Sequence, residues 1–127
     1  MRVVLVDDSI IVLERLARMF SEIPSLNIVG EAGNSYEAIN IIEAENPDVV
    51  VLDISMPGEN GIEVLKKIKK INRVVVVIML TNYPSKQYKA ACYEVGVDYF
   101  FNKSSEYKLV VYVLGELAKG AFIVCLK

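Results

Sequence analysis

The stretch Asp48-Val49-Val50-Val51-Leu52-Asp53 (48–53) decides the fold. Its short apolar run reads as a strand, and an aspartate stands where it stops; the longer run Val74–Leu80 suits a central strand covered on both faces. The same pattern recurs upstream, where Arg2-Val3-Val4-Leu5-Val6 ends in Asp7-Asp8. Downstream, Val74-Val75-Val76-Val77-Ile78-Met79-Leu80 ends in Thr81, and Asp98-Tyr99-Phe100-Phe101 is soon followed by Lys103. In an open parallel sheet, ligands bind outside the carboxyl ends of the strands. Acids, a hydroxyl and a lysine, far apart in sequence, therefore converge on one rim.

Helical spacing fills the gaps between these runs. Ile10, Leu13, Leu16, Ala17 and Phe20 recur on one face before Pro24 closes the segment. A weaker strand, Asn27–Glu31, leads to Gly33, and Asn34 with Glu37 three residues on reads as a helix start. Ala38, Ile41 and Ile42 continue that helix to Asn46-Pro47. Residues 55–61 form a loop by composition, followed by a helix carrying Ile62, Val64, Leu65 and Ile68. Lys66, Lys67, Lys69 and Lys70 crowd the end of that helix and read as a solvated face that suits the dipole. Tyr88, Ala91, Cys92 and Val95 make a fourth stripe capped by Gly96, and Ser105 to about Lys119 a fifth helix. Five β-α units with right-handed crossovers predict an α/β, doubly wound five-stranded parallel sheet with five helices on its two faces. The domain is expected over 1–120, with 121–127 an apolar tail to which the pattern assigns no role.

At 127 residues the chain has room for one domain with one well-developed core, and 54% hydrophobic content argues against disorder. A net charge of −2 and a pI near 5.2 offer no basic footprint for nucleic acid or an anionic membrane. Cys92 and Cys125 lack metal-ligand spacing and no histidine is present, so reduced thiols in a cytoplasmic protein are expected. The first apolar run is too short for a signal peptide, and nothing approaches the ~18 apolar residues of a membrane span. The nearest stretch, from Leu109, is broken by Glu116 and Lys119.

Each rim residue has a plain reading by itself. Asp7-Asp8 is an acidic helix start, Asp53 a turn residue, Thr81 the end of a β run and Lys103 a surface lysine. Together they pose an electrostatic problem. Two unit charges near 4 Å repel by ~4 kcal/mol at an effective dielectric of about 20. Three carboxylates at neighbouring strand ends therefore need a cation or a proton, and an all-oxygen site suits Mg2+. Acid, Mg2+, lysine and hydroxyl are the parts that phosphoryl transfer requires, and Asp53 on the middle strand is the natural nucleophile.

Four motifs in order make the chain resemble a bacterial two-component response-regulator receiver domain over roughly residues 1–119. They are Val-Asp-Asp-Ser (6–9), Leu-Asp-Ile-Ser-Met-Pro-Gly with Gly61 (52–61), Leu-Thr-Asn (80–82) and Gly-Val-Asp-Tyr-Phe-Phe-Asn-Lys (96–103). The resemblance implies a flavodoxin-like sheet of strand order 2-1-3-4-5. It also implies a phosphoacceptor rather than an enzyme, one that promotes its own phosphoryl transfer and dephosphorylation. Asp53 would accept the phosphoryl group from a phosphohistidine on a sensor histidine kinase. Asp8 and Asp53 would ligate Mg2+ through carboxylates and Ser55 through its backbone carbonyl, with Asp7 holding a metal-bound water. Lys103 would pair with Asp53 and then a phosphoryl oxygen, and Thr81 would hydrogen-bond another. Phe100 takes the switch-aromatic position, read out on the fourth helix, fifth strand and fifth helix.

Several residues depart from the family pattern. Asn82 is larger than the small residue usual after the switch threonine, and Ser104 stands where many relatives have proline. Phe100 lacks the hydroxyl of the commoner tyrosine. Ser55 and Tyr83 sit where phosphoryl lifetime is often tuned, and bulky Tyr83 is expected to shield the acyl phosphate. On the fifth helix Tyr107, Val110, Val111, Leu114 and Leu117 read as the buried stripe. Leu109 and Tyr112 then point outward, as a contact for a homodimer or the kinase. Other readings stay open: a phosphorylation-independent interaction module of the same fold, a flavin- or nucleotide-binding protein, and an aspartyl-nucleophile phosphohydrolase. The Asp7-Asp8 loop repels a bare phosphate, and the short chain leaves no room for a substrate-binding cap.

Overall fold

A computed structural model of the chain describes residues 1–53, 60–82 and 85–120. Five strands and five helices alternate: β1 (Arg2–Val6), α1 (Ile10–Phe20), β2 (Asn27–Ala32), α2 (Ser35–Glu45), β3 (Val49–Asp53), α3 (Gly61–Ile71), β4 (Val76–Thr81), α4 (Lys86–Val95), β5 (Tyr99–Asn102) and α5 (Tyr107–Ala118). All pairings are parallel and the strand order is β2-β1-β3-β4-β5, as the resemblance implied.

Because side chains alternate across a strand, each face of the sheet builds its own core. Val4, Val6, Val50, Leu52, Val77, Met79 and Phe100 meet Ala38 and Ile42 of α2, Val64, Leu65 and Ile68 of α3, and Cys92 of α4. Val3, Leu5, Val49, Val51, Ile78, Leu80 and Tyr99 meet Leu13, Leu16 and Phe20 of α1 and Val110, Val113 and Leu114 of α5. β3 is buried at every position, which is why its sequence does not alternate. Burial pushes the Cys92 thiol up to about 11.

Short polar residues set the helix starts. Ser9, Asn34, Asn60 and Ser85 each accept the N–H three residues on, tying up one of the free donors of the first turn. Gly96 ends α4 at φ 111°, a left-handed conformation that a side chain would strain.

Three sequence expectations need correction. Ile10 opens α1 but is 72% exposed, because the first turn overhangs the rim instead of lying on the sheet. Val74 precedes β4 and is 86% exposed; Asn72 Oδ1 accepts its N–H, and the chain joins the sheet only at Val76. On α5 the inward stripe is Val110, Val113 and Leu114, while Tyr107 faces solvent. Val113 belongs to that stripe and Tyr107 does not, because Tyr107 opens α5 past the edge of the sheet, three residues before the fully buried Val110. The expectations for Ser55, Tyr83 and the tail 121–127 fall outside the described residues.

Candidate functional site

The rim is assembled by register. Val6 of β1 lies opposite Leu52 of β3, so Asp7 and Asp53 are the next residues on adjacent strands. Asp53 in turn lies opposite Leu80, one residue before Thr81, and Thr81 lies opposite Asn102, one residue before Lys103. Residues nearly a hundred positions apart thus share one end of the sheet. Asp7, Asp8 and Asp53 each offer a carboxylate oxygen, and these oxygens all lie within 4.8 Å of one another.

Burial divides the three acids. Asp7 and Asp53 are buried while Asp8 is exposed. Asp7 Oδ1 accepts the Ser9 N–H at 2.9 Å, which aims Oδ2 across the sheet. Lys103 reaches back from the end of β5 and donates from Nζ to Asp53 Oδ2 at 3.2 Å; Asp7 Oδ2 lies closer, at 2.5 Å. The pairing with Asp53 was expected, and the tighter one with Asp7 was not. The sequence offered little signal for it, because Asp7 ends β1, which lies one strand farther from β5 than the β3 of Asp53. Burial alone would lower the Lys103 pKa. The hydrogen bond to Asp7 and the charge of Asp53 outweigh it, so the ammonium is held above its ordinary value.

Among the described residues, three carboxylates share this rim with the Lys103 ammonium, so negative charge predominates there. Hard oxygen donors, closely spaced, with one of the acids open to water, fit a divalent ion such as Mg2+. Thr81 is fully buried on the sheet face of Met79, the face that Phe100 also occupies. The Phe100 ring is buried too, with Lys89 Nζ 6.0 Å from its centroid.

The loop that carries Lys103 is fixed by polar residues that the sequence reading passed over. Asn102 Oδ1 accepts the N–H groups of Ser104 and Ser105 at 2.9 and 3.0 Å. Glu106 Oε1 accepts the Asn102 N–H at 2.8 Å. The available signal was the asparagine itself, since Asx side chains nucleate such turns. Ser104 Oγ also donates to Asn82 Oδ1 at 2.8 Å, so the two departures from the family pattern touch each other. Leu109 and Tyr112 are 47% and 61% exposed, pointing outward as expected. Beside the acids, Ile10 and Ile11 are bare at 72% and 78%. Among the described residues, no helix is long and apolar enough to cross a membrane.

Comparison with known proteins agrees with this geometry. The family model for the response regulator receiver domain matches residues 3–113. A protein-glutamate methylesterase/protein-glutamine glutaminase of Caulobacter vibrioides is 42% identical over 80 residues, which are 63% of this chain and 23% of that protein. The chain spans less than a quarter of that relative's length. The signal receiver domain of the putative response regulator NarL from Mycobacterium tuberculosis superposes with a TM-score of 0.84 at 30% identity, covering 94% of this chain and 96% of that one. The isolated receiver domain of RcsB from Salmonella enterica, solved with the phosphomimetic BeF3−, gives a TM-score of 0.88 at 27% identity, covering 98% and 93%.

Proposed function

The chain belongs to the response regulator receiver family, the signalling domain of bacterial two-component systems, and we propose that it works as a phosphoacceptor whose acceptor is Asp53. The observation that carries the reading is the clustered acidic rim, where among the described residues Lys103 contacts two buried acids beside a third, exposed one. Such a site favours a divalent cation and, once that charge is supplied, an incoming phosphoryl group.

In the proposed step an Asp53 carboxylate oxygen bonds to phosphorus while the P–N bond of a kinase phosphohistidine breaks. The imidazole leaves with the bonding pair and takes a proton from solvent, and Asp53 becomes an acyl phosphate. Asp7, Asp8 and Asp53, with the Ser55 carbonyl, would hold Mg2+, which when bound offsets the repulsion between the acids and the phosphoryl oxygens. Lys103, already 3.2 Å from Asp53, shifts to a phosphoryl oxygen, while its contact with Asp7 keeps it aimed across the rim. Thr81 donates to a second oxygen, and Phe100, on the same sheet face, repacks with it. That repacking reads out the local charge change on α4, β5 and α5.

Two exposed apolar sets support a role in protein contacts. Ile10 and Ile11, exposed at the start of α1 two and three residues after Asp8, suit a docking sensor histidine kinase. Leu109 and Tyr112 on α5 suit a kinase or homodimer contact. The test is incubation with Mg2+ and phosphoramidate, followed by intact mass. A single phosphoryl adduct that needs Mg2+ and is lost in Asp53→Asn is the expected result. Folded protein without an adduct would overturn the reading in favour of a phosphorylation-independent interaction module.

A further inference from the structure

Asn82 directly follows Thr81, and Ser104 directly follows Lys103. The backbones of β4 and β5 are joined at this point, since the Lys103 N–H donates to the Thr81 carbonyl at 2.8 Å. The bond from Ser104 Oγ to Asn82 Oδ1, also 2.8 Å, adds a side-chain rung just beyond it. Ser104 is held ready for this bond because Asn102 fixes its turn through the Ser104 N–H. Proline at this position would lack both the hydroxyl and that N–H.

The direction of the bond matters. β4 lies between β3, which ends in Asp53, and β5, which leads into Lys103. A side chain one residue past Thr81 can lean either way, and the bond commits Asn82 to the β5 side. With Ser104, Lys103 and Tyr107, and with Val12 and Arg15 of α1, Asn82 lines a cavity of about 320 Å3; of this lining Lys103 is the residue that touches the acids.

We propose that the Ser104 hydroxyl is a tether that parks Asn82 on the β5 side and keeps the approach to Asp53 open. Ser104 is thus a positioning residue that acts through Asn82, and the two departures from the family pattern compensate each other. The proposal rests on the phosphoacceptor reading of the same rim. An exposed hydrogen bond shifts a side chain between two positions by roughly two- to tenfold, which sets the scale of the effect.

The experiment follows the rate of Mg2+-dependent phosphorylation by phosphoramidate, read by intact mass, in the full chain. Ser104→Ala is expected to slow the reaction by about two- to fivefold. Ser104→Thr, which keeps the hydroxyl, is expected to restore the rate. Asn82→Ala is expected to react at least as fast as the wild type, and Ser104→Ala/Asn82→Ala to match Asn82→Ala. An unchanged rate in Ser104→Ala overturns the tether, as does a slow rate that persists once Asn82 is gone. Absence of any adduct in the wild type would sink the phosphoacceptor reading instead. The tether is then read in the unmodified protein by NMR: the Asn82 side-chain amide resonances should move in Ser104→Ala and return in Ser104→Thr. Unmoved resonances would overturn it.

Discussion

Two lysine–aspartate contacts sit at opposite ends of the same sheet and end in different chemistry. At the amino end, Lys69 Nζ donates to Asp98 Oδ2 at 2.8 Å and to the Val75 carbonyl at 2.7 Å. Asp98 Oδ2 also accepts the Val77 N–H at 2.8 Å, so the pair clasps α3, the start of β4 and the turn before β5. One cation meets one anion, and both spend their other hydrogen bonds on backbone. At the carboxyl end Lys103 faces two buried carboxylates, with Asp8 exposed beside them. The residue types are the same and the stoichiometry is not. A balanced pair closes a structure, whereas clustered carboxylates repel one another and favour a cation.

The sharpest way to break this comparison is to remove each lysine's partner charge in turn. Lys103→Met leaves Asp7 and Asp53 buried without their ammonium and should cost roughly 3 kcal/mol or more in urea denaturation at neutral pH. Added Mg2+ should recover more stability in that variant than in the wild type. A loss below about 1 kcal/mol, or an equal Mg2+ response, would show that the rim is as satisfied as the other end.

Alkaline titration sharpens the same point. The Lys103 pKa is raised in the folded state, so its contribution is complete below the ordinary lysine value of about 10.4 and is lost as pH rises through the folded value. The stability gap between the wild type and Lys103→Met should hold steady from about pH 7 to 10 and narrow as pH rises past the ordinary lysine value and through the raised folded one. Cys92 and Tyr88, whose pKa values are also raised, lie in both proteins and cancel in the difference. A gap that stays constant to the highest pH would remove the ammonium from the account.

The smallest effect belongs to the closed end. Asp98→Asn keeps an acceptor for the Val77 N–H and loses the ion pair, which is partly exposed, so about 1 kcal/mol is expected. Its Mg2+ response should match the wild type; a changed response would couple the two ends.

Much of this was legible in the linear chain. Continuous β-branched runs such as Val49–Leu52 announce buried parallel strands, because only a sheet covered on both faces hides apolar residues at every position. Aspartates, threonine and lysine at the ends of such runs announce the rim, since parallel strands bring like ends together. Ile10 and Tyr107 were misplaced for one shared reason. Helical periodicity says which residues share a stripe, but the first residue of α1 and of α5 overhangs the sheet edge while Leu13 and Val110 are already buried, and an overhang is a tertiary property.

The chain by itself therefore determined the strand-helix alternation, the parallel sheet and the identity of the rim residues, because local apolar pattern and chain connectivity are enough to specify them. Tertiary structure alone decided which acid Lys103 holds most tightly, where the Ser104 hydroxyl reaches, and which apolar residues stay in water. Those outcomes depend on side-chain distances across strands and loops that are remote in sequence, and no local pattern encodes them.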